Sequence, residues 1–263
     1  DHVLSPNQTN FDRRQREKWS EPRIGNMNTR VLYETHDITS LVQEGKNSIG
    51  VVLGNGWYQQ ADRPDEPAYL YDSPRLLVQA QIEYEDGRKE TIASDASWKV
   101  STGPILYNGL HSGEIYDARL EQKGWNEAGF DDSKWIQAEL VREPAGTLMA
   151  QVSPPDRVVK AIRPVKVSQP EKGIYRFDMG QMMGGWARLK VSEEKGTKLK
   201  LVFTEEFGPT YGQTDTYILK GDGEEIWEPR FTWHAFRYVD VIGSAVELTA
   251  DNLEGRVVNT DIQ

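Results

Sequence analysis

Short runs in which apolar and polar residues alternate recur along the whole chain, and none repeats with a helical period for three turns. In residues 78–84, the clearest run, Val, Ala, Ile and Tyr alternate with Gln, Gln and Glu. Because successive side chains of a strand point to opposite faces, this run predicts a strand with one apolar face. Asp86-Gly87 then predicts a two-residue turn, and Thr91 to Ala93 predict the returning strand. The pattern is typical of an all-β protein with few short helical turns.

Further strands are predicted on both sides of this hairpin. Residues 48–53 form an apolar run bounded by Gly54, which predicts a buried strand. Residues 198–203 alternate well. The segment from Phe177 to Trp186 predicts a strand, a turn permitted by its glycines and a second strand.

Residues 142–156 are rich in proline and glycine, which interrupt strands and helices. They separate two series of predicted strands, each of a length usual for one domain. We therefore predict two jelly-roll-like β-sandwich domains in tandem, residues 1–150 and residues 151–263.

The charge and the cysteine content exclude several classes of function. The formal net charge is −10, which argues against nucleic acid and anionic membranes, because both demand a basic surface. No stretch approaches the length of a transmembrane helix. Cysteine is absent, which excludes disulfides, thiolate zinc sites and cysteine nucleophiles. The first residues lack the pattern of a signal peptide, so we expect either a signal already removed or a longer parent chain.

The connection from Gly103 to Leu120 combines carboxylates, aromatics, an amide and an imidazole. Its carboxylates Glu114 and Asp117 could bind Ca²⁺, accept hydrogen bonds from sugar hydroxyls, or act as a glycosidase pair. They could equally be structural, with Asp117 pairing with Arg119 or a backbone N–H. Spacing in the sequence leaves these alternatives open.

The segment Gly54-Asn55-Gly56-Trp57-Tyr58 is a second candidate site. It lacks the third glycine of a dinucleotide fingerprint and the surrounding βαβ unit, which excludes a Rossmann site. It is either a turn with buried aromatics or part of a ligand platform. Zincin, nucleophile-elbow and P-loop motifs are also absent from the sequence.

Taken in order, these segments resemble the N-terminal accessory part of bacterial α-L-rhamnosidases, glycoside hydrolase family 78. The likeness covers nearly the whole chain and is specific because of the shared order of its motifs. The residues that carry it are 53–58, 102–105 with 113–119, 177–181 with 185–186, and 214–217 through 227–231.

The resemblance implies a first jelly-roll domain, which in some members binds L-rhamnose with the help of Ca²⁺, and a second β-sandwich. It places catalysis in a later (α/α)₆ barrel, so we expect a non-catalytic part that binds a rhamnose-containing glycan, docks the barrel, or both. Trp57 or Tyr58 would face the sugar ring, while Asn55, Glu114 and Asp117 would bind hydroxyls and Asn55 and Asp117 would bind Ca²⁺.

Two alternatives to sugar binding stay open at this point. One is a purely structural spacer, and the other is a standalone glycosidase with its site around Glu114 and Asp117. For the parent protein we expect a periplasmic or extracellular location.

Overall fold

The computed structural model describes residues 30–56, 59–60, 69–70, 73–144, 146–206 and 212–261. In these ranges the regular elements are strands and three 3₁₀ turns, Thr39–Leu41, Ala118–Leu120 and Ala250–Asn252. The strands, in chain order, are β1 (Arg30–Tyr33), β2 (Gln59–Gln60), β3 (Tyr69–Leu70), β4 (Gln79–Glu83), β5 (Lys89–Ala93), β6 (Lys99–Val100), β7 (Ile105–Gly109), β8 (Gly113–Asp117), β9 (Ile136–Gln137), β10 (Thr147–Ala150), β11 (Asp156–Ile162), β12 (Lys166–Glu171), β13 (Ile174–Val191), β14 (Lys198–Thr204), β15 (Thr214–Ile218), β16 (Glu225–Trp227), β17 (His234–Ile242) and β18 (Leu253–Thr260).

Ten of these strands form one curled sheet, which confirms the prediction of an all-β fold. The order across the sheet is β11-β18-β13-β17-β14-β15-β8-β7, and β12 and β16 each pair with β13 as well. No helix in the described ranges is long and apolar enough to cross a membrane.

The core lies against one face of this sheet. Phe177, Leu189, Leu201 and Phe236 have no exposed surface, and each belongs to an alternating run on β13, β14 or β17. Burying a side chain of this size stabilises the fold by about 1.5–3 kcal/mol relative to leaving it exposed. The alternation seen in the sequence therefore directs one face of each strand into a common apolar cluster.

Strand β13 corrects one prediction. The segment from Phe177 to Trp186 does not reverse direction but lies within a single strand of 18 residues. Its pairing with β17 shifts register between Asp178 and Met183. Gly180 has a φ of +76°, which admits this bulge without ending the strand.

The four remaining sheets have two strands each: β1–β10, β2–β3, β4–β5 and β6–β9. The β4–β5 hairpin confirms the predicted strands, but the turn is one residue longer than predicted. The amide of Gly87 donates to the carbonyl of Tyr84, and the amide of Tyr84 donates to the carbonyl of Arg88. Gly87 therefore occupies the left-handed position after a turn centred on Glu85-Asp86, with φ +84°.

Residues 48–53 are not a strand, and the prediction of a buried strand there is wrong. Ile49, Val52 and Leu53 are each exposed, between 37% and 43%. An apolar run alone does not supply a pairing partner, and the segment pairs with no strand of the described residues.

The β7–β8 hairpin joins the predicted first domain to the large sheet. Strand β8 pairs in parallel with β15 through Ile115, Tyr116 and Asp117. Gly113, with a φ of +115°, begins β8 so close to Thr214 that a Cβ atom there would lie 1.8 Å from the Thr214 carbonyl oxygen. Backbone hydrogen bonds between β8 and β15 therefore join the parts of the chain before and after residue 150. The division into two domains at that residue stays a prediction.

Candidate functional site

Three segments that the sequence singled out meet around the side chain of Glu114. They are residues 54–55, the β7–β8 hairpin, and the connection 228–233 between β16 and β17. Together with Asp215 and His234 we call this region the Glu114 junction. It contains several fully buried polar side chains, which is unusual enough to require an explanation.

The Glu114 side chain has no exposed surface. Its Oε2 atom accepts hydrogen bonds from the backbone amides of Arg230, at 3.1 Å, and Phe231, at 3.3 Å. Its Oε1 atom has no hydrogen-bond partner among the described residues. The carboxyl group therefore clamps the 228–233 connection onto β8 with one of its two oxygens.

Burial is the main cause that raises the pKa of Glu114, to about 8. The nearby Asp215 carboxylate raises it further, whereas the amide hydrogen bonds from Arg230 and Phe231 lower it. A carboxyl group with this pKa is mostly protonated at neutral pH, so the buried group carries no charge there.

Asp215 and His234 form a second buried pair beside Glu114, and both have no exposed surface. Asp215 Oδ1 accepts the backbone amide of Glu114 at 2.9 Å and lies 3.1 Å from His234 Nε2. The imidazole also stacks on Phe203 with ring centroids 4.1 Å apart. Asp215 Oδ2 and His234 Nδ1 have no partner among the described residues.

Asn55 lies at the edge of the Glu114 junction and is half-buried. Its backbone amide donates to Asn108 Oδ1 at 2.7 Å, and its side-chain Nδ2 donates to the Asn108 carbonyl at 3.0 Å. The preceding Gly54 lies against the ring of Phe231, where a Cβ atom would approach to 2.3 Å. These contacts fix the 54–55 segment against both the hairpin and the 228–233 connection.

Asp117 is nearly buried and pairs with Arg119, which was one of the structural alternatives left open by the sequence. The Arg119 guanidinium donates to both carboxylate oxygens, at 2.8 and 2.7 Å, and its backbone amide donates at 3.1 Å. The Arg119 hydrogen bonds hold the pKa of Asp117 below its ordinary value. Asp117 is therefore an ionised carboxylate whose oxygens are already occupied.

The predicted calcium ligands Asn55 and Asp117 both make internal hydrogen bonds, and their role as calcium ligands stays a prediction. Calcium requires six to eight oxygen ligands. The Asp117 carboxylate accepts hydrogen bonds from Arg119, and the Asn55 side chain donates through Nδ2 to the Asn108 carbonyl. Within the described ranges no three carboxylate, imidazole or thiol side chains are grouped so that they could hold a metal. Trp57 and Tyr58, predicted to face the sugar, lie outside the described residues.

The sequence interpretation missed Asp215 and His234. His234 lies in a run rich in aromatic residues, from Phe231 to Tyr238, and Asp215 lies in the segment 214–217, which contributes only to the resemblance. Their meeting depends on β15 and β17 lying on either side of β14, which sequence spacing does not encode. Because both have no exposed surface, neither Glu114 nor Asp215 is accessible to a glycoside in this structure.

Comparisons with known proteins account for most of the chain. Residues 1–160 match the family model described as the alpha-L-rhamnosidase N-terminal domain. Residues 168–259 match the model of the bacterial alpha-L-rhamnosidase concanavalin-like domain.

Individual relatives agree with these matches. An alpha-L-rhamnosidase of Streptomyces avermitilis is 39% identical over 88% of this chain, but the match covers only 24% of that relative. The structure of alpha-L-rhamnosidase from Dictyoglumus thermophilum superposes with a TM-score of 0.83, at 43% identity over 89% of this chain and 27% of that one. The S. avermitilis alpha-L-rhamnosidase complexed with L-rhamnose gives 0.81, at 37% identity over 89% and 24% of the two chains. The chain thus spans about a quarter of the length of these relatives.

Proposed function

Because this chain belongs to the bacterial α-L-rhamnosidase family, we propose that it is the non-catalytic β-rich part of a glycoside hydrolase acting on terminal α-L-rhamnose. In this proposal the described strands recognise a rhamnose-containing glycan, support an (α/α)₆ catalytic barrel of the parent protein, or do both.

The state of the carboxylates is the observation that carries the non-catalytic role. A glycosidase requires two carboxyl groups that reach the scissile bond, but Glu114 is enclosed and Asp117 is paired with Arg119. Both carboxyl groups are therefore engaged in contacts within the chain. The relatives are also about four times as long as the matched region, which leaves ample length elsewhere for the catalytic machinery.

The catalytic alternative is tested by assaying the 263-residue chain on an aryl α-L-rhamnoside. We expect no turnover above buffer, with an active α-L-rhamnosidase as the positive control. Turnover that disappears in the Glu114→Gln variant would contradict the proposal and would restore the standalone glycosidase.

Sugar binding is the finer part of the proposal, and Asn55, Trp57 and Tyr58 are the residues that we assign to it. Support comes from the relative whose structure was solved as a complex with L-rhamnose. Indole and phenol rings offer the apolar face that a sugar ring stacks against, and an amide side chain can bind hydroxyls.

Isothermal titration calorimetry with L-rhamnose, with and without Ca²⁺, tests this assignment. We expect a saturable heat that Trp57→Ala abolishes and that Trp135→Phe leaves unchanged, because the Trp135 indole is bound internally to Gln122. A heat that requires Ca²⁺ would also support the predicted cofactor. If a folded protein gives no heat under either condition, only the structural spacer remains.

The spacer alternative has one specific observation in its favour. The predicted ligands Asn55, Glu114 and Asp117 all make internal hydrogen bonds that fasten the β7–β8 hairpin and its neighbours. These contacts are what a scaffold requires, whether or not the same surface also binds a sugar.

A further inference from the structure

The Glu114 carboxyl group holds the Glu114 junction together through one oxygen only. Oε2 accepts two backbone amides, whereas the enclosed Oε1 has no partner among the described residues. A protonated Oε1 is neutral and tolerates this enclosure, but an ionised carboxylate there would lack the hydrogen bonds that normally offset the loss of water.

Among the groups that face Glu114 only Arg230 attracts its carboxylate, and burial outweighs that attraction. Asp215 on β15 is another buried carboxyl group, and His234 on β17 is bound to Asp215. Asn108, the partner of Glu114 on β7, is neutral. Arg230 attracts the carboxylate at a distance and donates its backbone amide to it, but no hydrogen bond from its guanidinium to Glu114 is present. On its own strand, Glu114 is followed two residues later by Tyr116, whose hydroxyl binds Glu121 instead.

We propose that Glu114 is a proton-dependent latch, which fastens the 228–233 connection to the β7–β8 hairpin when its carboxyl group is protonated and releases that connection when the group ionises.

Opening of the latch would affect contacts beyond the two hydrogen bonds that Glu114 accepts. Phe231, whose amide binds Glu114, covers Gly54, while Thr232 and Trp233 both donate to the Leu110 carbonyl. Release of the connection would therefore loosen the packing of Phe231 on Gly54 and the attachment of the hairpin tip. The pairing of β13 with β17 and β18 does not involve these residues and would persist.

The direction of the pH dependence follows from the pKa. Burial raises the pKa of Glu114 above its ordinary value of 4.5, to about 8, so the closed state binds the proton more tightly than the open state does. Closure is then fully stabilised below the ordinary value and weakens as the pH rises, until the closed state itself ionises near the raised value. The latch thus favours the closed junction in acid.

Hydrogen exchange of the 263-residue chain, read by mass spectrometry on peptides covering 228–233, tests the latch. Wild type and Glu114→Gln are compared at the same pH, which cancels the intrinsic pH dependence of exchange. The amide of glutamine can accept the same two N–H groups and cannot ionise. We expect exchange of 228–233 in the wild type, relative to the variant, to rise at least about tenfold between about pH 5 and about pH 8.

The experiment includes two references, a control variant and a reference peptide within the wild type. Glu225→Gln is the matched control, because Glu225 is also buried but accepts hydrogen bonds from Tyr217, Lys220 and Gly221 with both oxygens. It should not change the pH dependence at 228–233. Peptides from β18 provide an internal reference within the wild type, so the test survives if a variant fails to fold. A wild-type ratio of 228–233 to β18 exchange that stays constant with pH, after correction for intrinsic rates, would overturn the latch.

Discussion

The ten-stranded sheet and the two-stranded sheets, called ribbons below, differ in how many apolar side chains they bury. Among the described residues the buried apolar side chains lie after residue 176, except for Leu110 and Ala118 at the hairpin. Most of the exposed large apolar side chains lie instead between Tyr33 and Val152. Both regions have alternating sequences, so alternation alone does not decide whether a core forms.

This difference indicates which strands contribute the apolar burial that stabilises the fold. In the large sheet, neighbouring strands extend one apolar face across β13, β14 and β17, and each strand contributes to the same cluster. Among the described residues no buried apolar side chain lies on the two-stranded sheet β4–β5, and isolated two-stranded hairpins are marginal in water. The β7–β8 hairpin links the two regions because it pairs with β15.

The largest effect is expected from Gly113→Ala, which places a methyl group at this link. Its Cβ atom would lie 1.8 Å from the Thr214 carbonyl oxygen, and the φ of +115° is itself strained for alanine. Backbone atoms cannot move aside without breaking the pairing of β8 with β15. We expect a loss of at least about 4 kcal/mol in the free energy of unfolding, measured by urea denaturation.

Gly87→Ala is the control within the ribbon. Gly87 also has a positive φ, +84°, but nothing lies within 4 Å of its Cβ position. It should cost only about 1 kcal/mol, the price of the left-handed conformation for alanine. Equal losses in the two variants would mean that the hairpin is not held tightly against β15.

The sequence predicts the fold class well because alternation is a local signal. The strands at 198–204 and the β4–β5 hairpin follow directly from it. The long strand β13 does not follow from alternation, because its glycines permit either a turn or a bulge. The exposure of residues 48–53 does not follow either, because burial depends on a neighbouring strand that the local sequence does not reveal.

The candidate site is harder to predict than the fold. The sequence identified Asn55, Glu114 and Asp117 as unusual, and the structure brings Asn55 and Glu114 into one region through Asn108. What each carboxylate does depends on contacts that are distant along the chain, such as Glu114 with Arg230 and Phe231. Their roles as sugar or calcium ligands stay predictions.

Two truncations to alanine, one in the large sheet and one in a ribbon, compare the stability that buried side chains contribute in the two regions. Leu201 has no exposed surface within the large sheet, and Leu201→Ala should cost about 3 kcal/mol because it leaves a cavity. Ile136 on β9 is 70% exposed, and Ile136→Ala should change the free energy of unfolding by less than about 0.5 kcal/mol. Comparable losses, seen in urea denaturation of both variants, would show that the ribbon region has a buried core in solution.

A smaller effect than that of Leu201→Ala concerns Asp117, which lies on the same strand as Glu114 but should show the opposite dependence on pH. Arg119 holds the pKa of Asp117 below its ordinary value of 3.8, so the ion pair stabilises the fold above that value and loses its effect as the pH falls through the lowered pKa. Asp117→Asn should cost about 1 kcal/mol at neutral pH, a modest amount because Arg119 is partly exposed.

Thermal unfolding of wild type and Asp117→Asn, from neutral pH down to about pH 3, should show this difference in stability shrinking toward acid. Arg119→Gln is the matched variant, since it removes the same ion pair from the other side and should give the same trend. Calcium separates this explanation from the predicted metal site. If the cost of Asp117→Asn appears only when Ca²⁺ is present, and Arg119→Gln has no cost, the carboxylate serves a metal ion and the ion pair with Arg119 is incidental.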